Sequence, residues 1–407
     1  MGKPDLFRLR LIISLPFLIS ATKLCAQLSF DLPINVIPTN FQTAQIPTDA
    51  RQHSMGSLGV VGSGSSISTS FLSNPSLLAT DAKYVETGIN VTPWLRNSSP
   101  FYTLVGAYQA GQFSERSAVG LKFNAILIND ANNNLPQIFE RVVQGNYALK
   151  LTPNFRMGVA FRHYFKDYFG YKSQSIGGDL GLAYENKIYN TAKTVVDFQL
   201  GAAVLQIGQK SEDGPMRNSL FLPTNLQIGG MIGVKHRINN IEINNHFGYQ
   251  MTKLLVPTPP LLIPSDRVSG YPEISSGLSL ISGYSTDVSA VQGMYQSFYD
   301  APGTIEMDQN GNPKIVPGSK LAEEISEIIH HFGNEFEFKP GSRFSLLFRQ
   351  GLMHEARNKG NRKIVSLGLG ARIFGVSIDV GRFIAASNPP LKKTMFVSLG
   401  YRYEFKG

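Results

Sequence analysis

The sequence has one cysteine, little charge and no long apolar run inside the chain. A single cysteine, Cys25, excludes a disulfide framework. Charged residues make up 16% of the 407 residues, below the roughly 25% of soluble domains. No internal stretch reaches the roughly 18 to 20 apolar residues that a transmembrane helix needs, which excludes a helical membrane bundle. With 39 Gly, 26 Phe and 16 Tyr, two classes remain: a soluble β-rich protein and a transmembrane β-barrel.

The N-terminus is typical of a secretory signal peptide over residues 1–26. Lys3, Arg8 and Arg10 precede a short apolar stretch, and small or neutral residues lead to a cleavage site before Gln27. A lipoprotein signal at Cys25 is the alternative, although the residues before it are not the small ones that lipidation requires. The remaining positive charge is spread without a run, so nucleic-acid binding has no support.

The segment 394–405 shows the pattern that decides the fold class. Every second side chain is apolar, and the residues between them are mostly polar or small, as in a strand with two different faces. The apolar face consists of Met395, Val397, Leu399, Tyr401, Tyr403 and Phe405. Segments of about ten residues with this alternation suit tilted strands that cross a membrane.

Fourteen such segments are predicted, and their connections alternate between short and long. The strands are expected at 87–94, 101–112, 116–128, 142–152, 155–166, 175–186, 193–207, 223–237, 241–253, 331–338, 342–353, 362–373, 375–385 and 394–405. An even count places all long loops at one end, as in outer-membrane barrels. The predicted fold is therefore all-β: a 14-stranded antiparallel transmembrane β-barrel over 87–407, with a long outer loop at 254–330 that carries a short helix.

Residues 27–86 are rich in Pro, Ser, Gly and Asn and lack periodicity. We expect them to form an N-terminal plug or periplasmic segment. The predicted lumen charges have mixed signs, which favours ion pairs across a filled lumen. They are Lys122, Arg156, Arg162, Glu242, Arg343, Arg349, Arg372, Asp379, Arg402 and Glu404.

Catalytic and metal-binding patterns are weak, so we predict neither an enzyme nor a cofactor. Glu327 lies one turn from His330, but the two-His zinc-protease spacing is absent. The segment 321–329 is instead predicted to be an amphipathic loop helix with a solvated acidic face.

The long outer loop carries the predicted partner- or cargo-binding residues. They are Met294, Tyr295, Phe298, Tyr299 and Asp300. Aromatic and Met side chains in an aqueous loop are typical of interaction surfaces. The alternative is a loop that packs its own aromatic residues over the barrel mouth.

The residues also resemble a known family, the PorV proteins of the type IX secretion system, which are similar to FadL-type barrels. The matching stretches are Asp49 to Arg51, Met55-Gly56, Asn74-Pro75, 91–96 with Trp94 and Leu95, 293–303, 321–329 and 357–362. The family's Asn-Pro-Ala motif stands here as Asn-Pro-Ser, and 304–319 is an additional stretch. A close paralogue of PorV therefore stays open.

The resemblance implies the role of these residues and the partners. Asp49, Arg51, Met55, Asn74 and Pro75 would belong to the plug, and Trp94 and Leu95 to the outer end of a strand. The protein would lie in the outer membrane of a Gram-negative, Bacteroidetes-type bacterium. It would bind beside a large SprA-like translocon barrel, take up cargo through the cargo's C-terminal domain and deliver it to a surface attachment complex. A FadL-like transporter of hydrophobic small molecules is the alternative.

Overall fold

The structure, a computed structural model, describes most of the chain. It covers residues 32–62, 71, 73–94, 101–129, 137–168, 170–213, 218–265, 272–275, 277–309, 312–387 and 391–405. The predicted signal peptide and Leu95 lie outside these residues. None of the helices in the described part is long and apolar enough to cross a membrane.

Fourteen antiparallel strands form a closed barrel, as predicted. They are β1 (Tyr84–Trp94), β2 (Phe101–Gln112), β3 (Ser117–Asn129), β4 (Gln137–Lys150), β5 (Phe155–Tyr168), β6 (Tyr171–Asn190), β7 (Thr194–Gly208), β8 (Asn225–Ile238), β9 (Ile241–Leu254), β10 (Ile329–Pro340), β11 (Phe344–His354), β12 (Lys363–Ile373), β13 (Val376–Ala386) and β14 (Met395–Glu404). The ring closes where β1 pairs with β14, from Tyr84 opposite Glu404 to Val91 opposite Val397.

Short and long connections lie at opposite ends of the barrel, with one exception. The short turns include Gly341 and Gly375, whose φ angles of 82° and 88° are easily adopted by glycine. The long connections include 255–328 and 355–362. The long connection expected between the predicted strands 155–166 and 175–186 is absent, because β5 and β6 stay paired up to Tyr168 and Tyr171. Polar hairpin residues beyond the membrane need no apolar face, so alternation does not reveal them.

The N-terminal segment lies inside the barrel. Its helix α1 (Ala50–Ser54) begins at Asp49, whose Oδ1 accepts a hydrogen bond from the Gln52 N–H at 2.8 Å. The Ala50 N–H donates to Ser398 Oγ of β14 at 2.8 Å. Two 3-10 helices, Gln42–Gln45 and Pro75–Leu78, lie on either side of α1 in the chain. All residues of α1 are buried, so the lumen is occupied by protein.

Glycines in the wall allow the plug backbone to approach closely. A Cβ at Gly351 of β11 would lie 1.9 Å from Gly56 N, and one at Gly181 of β6 would lie 2.1 Å from Asn74 Oδ1. Neither contact is sterically possible with a larger residue. The high glycine content therefore includes positions where wall and plug fit each other.

Ion pairs link inward-facing strand residues, as the mixed charges predicted. Arg162 pairs with Asp179, Arg156 with Glu185, Arg372 with Glu337, Arg402 with Glu86, Arg349 with Asp379 and Glu242 with Arg237. Two predicted lumen residues differ. Arg343 lies exposed in a turn over the Phe374 ring, and Glu404 is exposed at the end of β14.

Small elements cover the end of the barrel that carries the long connections. Two short hairpins are present, one of Ser211–Asp213 with Asn218–Leu220 and one of Ile305–Met307 with Pro313–Ile315. A three-stranded sheet is formed by Leu261–Pro264, Glu273–Ser275 and Leu278–Ser282. The helices are α2 (Ala290–Gln296) and α3 (Ser319–Ser326), with a 3-10 turn at Arg357–Lys359. We call the loops 255–328 and 355–362 together the cap.

Candidate functional site

Helix α2 presents the aromatic cluster that the sequence singled out. Ser289 caps its first turn, since Ser289 Oγ accepts a hydrogen bond from the Gln292 N–H. Gly293 faces inward, and a Cβ there would lie 2.9 Å from the Phe221 ring and 3.0 Å from Pro257. This close packing fixes α2 against Phe221 and Pro257 and leaves the opposite face of the helix in solvent.

Three aromatic side chains of this segment are exposed. Tyr295, Phe298 and Tyr299 are 71%, 52% and 60% accessible, and Tyr299 meets the exposed Tyr284 edge-on with ring centroids 5.6 Å apart. We call these four residues the aromatic patch. Met294 is only half-exposed. Most of each ring is therefore free to meet a partner, and the binding role of these residues stays a prediction.

Asp300 does not belong to the exposed set. It is fully buried, and its Oδ2 accepts hydrogen bonds from the Thr258 N–H at 3.0 Å and the Gln296 side chain at 3.3 Å. Burial raises the pKa of Asp300 to about 7, with a smaller contribution from the negative charge of Glu327. Asp300 therefore holds the segment from beneath, because a turn of backbone with free N–H groups needs an acceptor there.

Helix α3 has its polar and apolar faces reversed. Leu321 and Ile325 are 66% and 41% exposed, whereas Glu323 and Glu327 are 2% and 5% exposed. Each pair is four residues apart and so shares one helix face. The predicted solvated acidic face is wrong, and the predicted helix bounds 321–329 shift to Ser319–Ser326 because β10 already begins at Ile329.

Buried carboxylates of α3 hold the cap together through ion pairs. Lys359 Nζ lies 2.8 Å from Glu323 Oε1 and 3.0 Å from Glu327 Oε1. Lys253, at the outer end of β9, pairs with Glu324 at 3.2 Å and also with Glu327. We call these five residues the cap ionic cluster. The sequence signal for this cluster is the four-residue spacing of Glu323 and Glu327, which places them on one helix face. That spacing does not show that the face is buried.

The N-terminal residues 32–41, which we call the strap, run through this cluster. The Asn35 N–H donates to Asn358 O at 2.8 Å, and the Asn35 side chain donates to Glu323 Oε1 at 3.0 Å and Pro259 O at 3.1 Å. The strap thus joins both cap loops to the plug. Nothing in its composition indicated this role.

The predicted plug residues make specific contacts in the lumen. Arg51 Nε lies 3.0 Å from Glu335 Oε2, which also lies 2.6 Å from Arg349 Nε. With Asp379, 2.5 Å from Arg349 Nη1, these residues form what we call the lumen ionic cluster. All but Asp379 are at most 1% exposed at their side chains.

Other predicted plug residues shape its backbone. Met55 packs with Leu58 and Val60 in an apolar cluster. Asn74 caps the 3-10 helix that starts at Pro75, and its Oδ1 accepts hydrogen bonds from the Ser76 N–H and hydroxyl. Ser76 therefore makes a side-chain hydrogen bond that an alanine at this position could not make. Trp94 ends β1 and packs against Phe383 and His53.

The described residues contain no group of three or more His, Cys, Asp or Glu side chains placed to hold a metal ion. His330 Nδ1 lies 2.8 Å from the Tyr249 hydroxyl, and His331 Nδ1 lies 2.8 Å from Gly56 O.

A family model for the type IX secretion system protein PorV matches residues 32–261. This is more than half of the chain. The chain belongs to the PorV family. It is therefore an outer-membrane protein of type IX secretion, and the end with the long connections faces outward, as in outer-membrane barrels. The cap of this PorV-family protein is then its outer surface.

Several solved barrels are similar to this chain at low identity. CdiB from Acinetobacter baumannii is 13% identical with a TM-score of 0.35, over 80% of this chain and 60% of that protein. A Pseudomonas aeruginosa FadL homologue is 11% identical with a TM-score of 0.39, over 92% and 100%. The P. putida toluene transporter TodX is 11% identical with a TM-score of 0.37, over 88% and 99%. No curated protein matches the chain.

Proposed function

We propose that this PorV-family protein is a non-enzymatic accessory barrel that binds beside the type IX translocon, receives cargo through the cargo's C-terminal domain and passes it to the surface attachment machinery. Its outer cap would be a contact surface for partner or cargo. The barrel itself would not conduct, since its lumen is occupied by the plug.

The observation that carries this proposal is that apolar side chains of the cap are exposed on a backbone that buried ion pairs hold in place. Leu321 and Ile325 of α3 face solvent together with the aromatic patch, while the cap ionic cluster fixes the backbone below. Exposed aromatic and aliphatic groups on a soluble face cost free energy unless a partner covers them. A pre-ordered surface also loses little conformational entropy on binding.

Purification from membranes in mild detergent tests the central claim. An affinity-tagged chain should recover a very large outer-membrane barrel and secreted proteins that carry C-terminal sorting domains. Recovery of the tagged chain alone, under conditions that preserve other outer-membrane complexes, would contradict the proposal.

Replacing Tyr295, Phe298 and Tyr299 together by Ser tests the surface. Interface hot spots cost about 2 kcal/mol or more each when truncated, so we expect recovery of partner or cargo to fall at least tenfold. Phe113 offers a matched control, because it is 66% exposed in the short turn between β2 and β3 at the other end of the barrel. Phe113→Ser should leave recovery unchanged; equal effects of both variants would argue against a specific cap surface.

A transporter of hydrophobic small molecules is the second candidate, and one lumen cavity favours it. The cavity has a volume of about 370 Å³, and one wall is apolar, with Trp94, Met353 and Phe383. Lys122 and Arg162 line it as well. Uptake of a hydrophobic fluorescent probe by intact cells, lost on Phe383→Arg with secretion unaffected, would support this function over the first.

A further inference from the structure

Three carboxamide side chains lie on the outward face of neighbouring strands. They are Asn245 of β9, Asn334 of β10 and Gln350 of β11. Glu335 and Arg349 pair inside the lumen, and successive residues of a strand face opposite sides. Asn334 and Gln350, which are register partners, therefore point away from the lumen.

The outward direction of Asn245 follows in the same way. Its neighbour Asn244 donates to Glu337 Oε2 at 2.9 Å on the inner side. A Cβ at Gly248 would meet Leu58 of the plug at 2.8 Å, so even-numbered residues of β9 face the lumen. Asn245 accepts a hydrogen bond at its Oδ1 from Asn334 Nδ2 at 2.7 Å, which makes the amides one group.

These amides lie at the depth of the hydrocarbon. Tilted strands of about 9 to 11 residues cross the bilayer, and β10 and β11 have 12 and 11 residues. Asn334 and Gln350 occupy the middle of their strands. Lipid head groups are therefore not at this depth, and hydrocarbon chains offer neither hydrogen-bond donors nor acceptors.

The part of the wall that follows β11 around the ring is different. On β12 to β14 and β1, the outward mid-strand positions are aliphatic: Leu367, Leu369, Ile378, Val380, Val397, Leu399, Ile89 and Val91. The wall next to the amides is instead aromatic: Phe247, Tyr249, Phe332, Phe336 and Phe348. Aromatic residues are enriched where proteins meet.

The hydrogen bonds of Asn334 and Gln350 differ, and the difference shows which amide is available to a partner. Asn334 donates to Asn245 Oδ1 and to the His246 carbonyl at 3.1 Å, so it is satisfied within the wall. The half-buried side chain of Gln350 makes no hydrogen bond to the described residues. An amide without a partner in an apolar medium costs roughly 2–7 kcal/mol, and polar groups in membranes commonly join neighbouring proteins.

We propose that the outward faces of β9, β10 and β11 pack against the wall of a second, different transmembrane barrel, a polar side chain of which hydrogen-bonds the Gln350 amide at mid-membrane depth. The inference rests on the proposed function, in which this chain works beside the translocon barrel, and it names the flank that makes the contact.

Site-specific photocrosslinking in intact cells tests which flank is used. A benzophenone amino acid at position 350 should give an adduct with a protein much larger than this chain. The same probe at Leu121 of β3 and Leu399 of β14, which also face outward, should give none. Large adducts only at 121 or 399, an adduct of twice the chain's mass that marks a second copy, or lipid-sized adducts alone at 350 would each overturn the proposal.

The double variant Asn334→Leu/Gln350→Leu tests the chemistry. Leucine suits a lipid-facing wall, so the barrel should stay folded and heat-modifiable. Hydrogen bonds between membrane proteins contribute modestly, and we expect recovery of the large partner to fall about tenfold. Val397→Ala/Leu399→Ala, on the outward face of β14, is the control and should retain it. If the double variant fails to fold, the crosslinking result decides.

The same experiments separate this inference from the proposed function. A wild-type chain that recovers no large barrel contradicts the proposed function itself. A wild-type chain that recovers it, with full recovery by the double variant and no adduct at 350, contradicts only the flank.

Discussion

The lumen ionic cluster and the cap ionic cluster use the same chemistry in different surroundings. In the lumen, Glu335 pairs both with Arg51 of the plug and with Arg349, and Glu335 and Arg349 lie on strands that are hydrogen-bonded on both sides. In the cap, Lys359 meets Glu323 and Glu327 on segments joined by loops. A strand in a closed sheet cannot move to compensate for a lost charge, whereas a loop can relax toward water. We therefore expect the first cluster to determine assembly and the second to determine local order.

Removing Glu335 should have the largest effect on stability. Glu335→Ala removes the buried carboxylate with which both Arg51 and Arg349 pair. Breaking a buried ion pair in this way costs about 3–5 kcal/mol. We expect little heat-modifiable, protease-resistant barrel in membranes. Glu404→Ala is the control, because Glu404 is exposed at the end of β14. Normal assembly of Glu335→Ala would mean that the plug is not electrostatically held.

Removing Glu327 should loosen the cap and leave the barrel intact. Glu327→Ala removes one carboxylate that pairs with both Lys253 and Lys359. The same carboxylate accepts a hydrogen bond from the Thr258 hydroxyl, 2.6 Å from Glu327 Oε1. We expect a local loss of roughly 1–3 kcal/mol and at least tenfold faster proteolysis within 255–328. Glu306→Ala, in the exposed hairpin, should cleave like the wild type. Unfolding of the whole barrel together with the cap would show that the two clusters are not separable.

The cap should also depend on pH through Asp300. Its folded pKa of about 7 lies above the ordinary value of 3.8, so the folded cap retains a proton that the opened cap releases. The resulting stability is fully present below pH 4 and is lost as the pH rises through 7. The protection of amides in 255–328 against hydrogen exchange, expressed relative to the base-catalysed intrinsic rate at each pH, should therefore fall between pH 5 and pH 8.

Asp300→Asn should flatten most of this pH dependence, since the amide stays neutral. Burial also raises the pKa of Glu324, so a smaller slope of the same sign should remain. Asp287→Asn, at the exposed Asp287, should retain the wild-type profile. An unchanged profile in Asp300→Asn would show that another group controls the cap.

The aromatic patch should have the smallest effect on stability. Tyr295→Ser, Phe298→Ser and Tyr299→Ser together remove exposed rings, and exposed substitutions usually change stability by less than about 0.5 kcal/mol each. Urea unfolding of the triple variant in detergent should match the wild type within roughly 1 kcal/mol. A large loss would mean that these rings support the cap rather than meet a partner.

The barrel was predictable from the sequence because a membrane wall imposes one rule on every strand. Two-residue alternation identified all fourteen strands but not all of their ends: β4 begins at Gln137 where 142 was predicted, and β5 and β6 stay paired up to Tyr168 and Tyr171. The family was recognised from collinear motifs such as Asn74-Pro75, and the PorV model confirms it.

The site was less predictable because its contacts are not periodic. Amphipathic spacing in 321–329 cannot say which face is buried, and the lysines that bind Glu323 and Glu327 come from distant loops. Likewise, Asp300 resembles any loop carboxylate until the Thr258 backbone that needs it is placed beside it. The roles of the surface residues stay predictions.

The path of the plug also limits the order in which the molecule can be assembled. The chain runs from the strap at the outer cap, through the lumen beside Gly351, and emerges at the other end as β1. A closed ring of fourteen paired strands has no gap in its side wall. We therefore expect α1 to be seated in the lumen before Tyr84 pairs with Glu404, so that the last pairing of the wall encloses the plug.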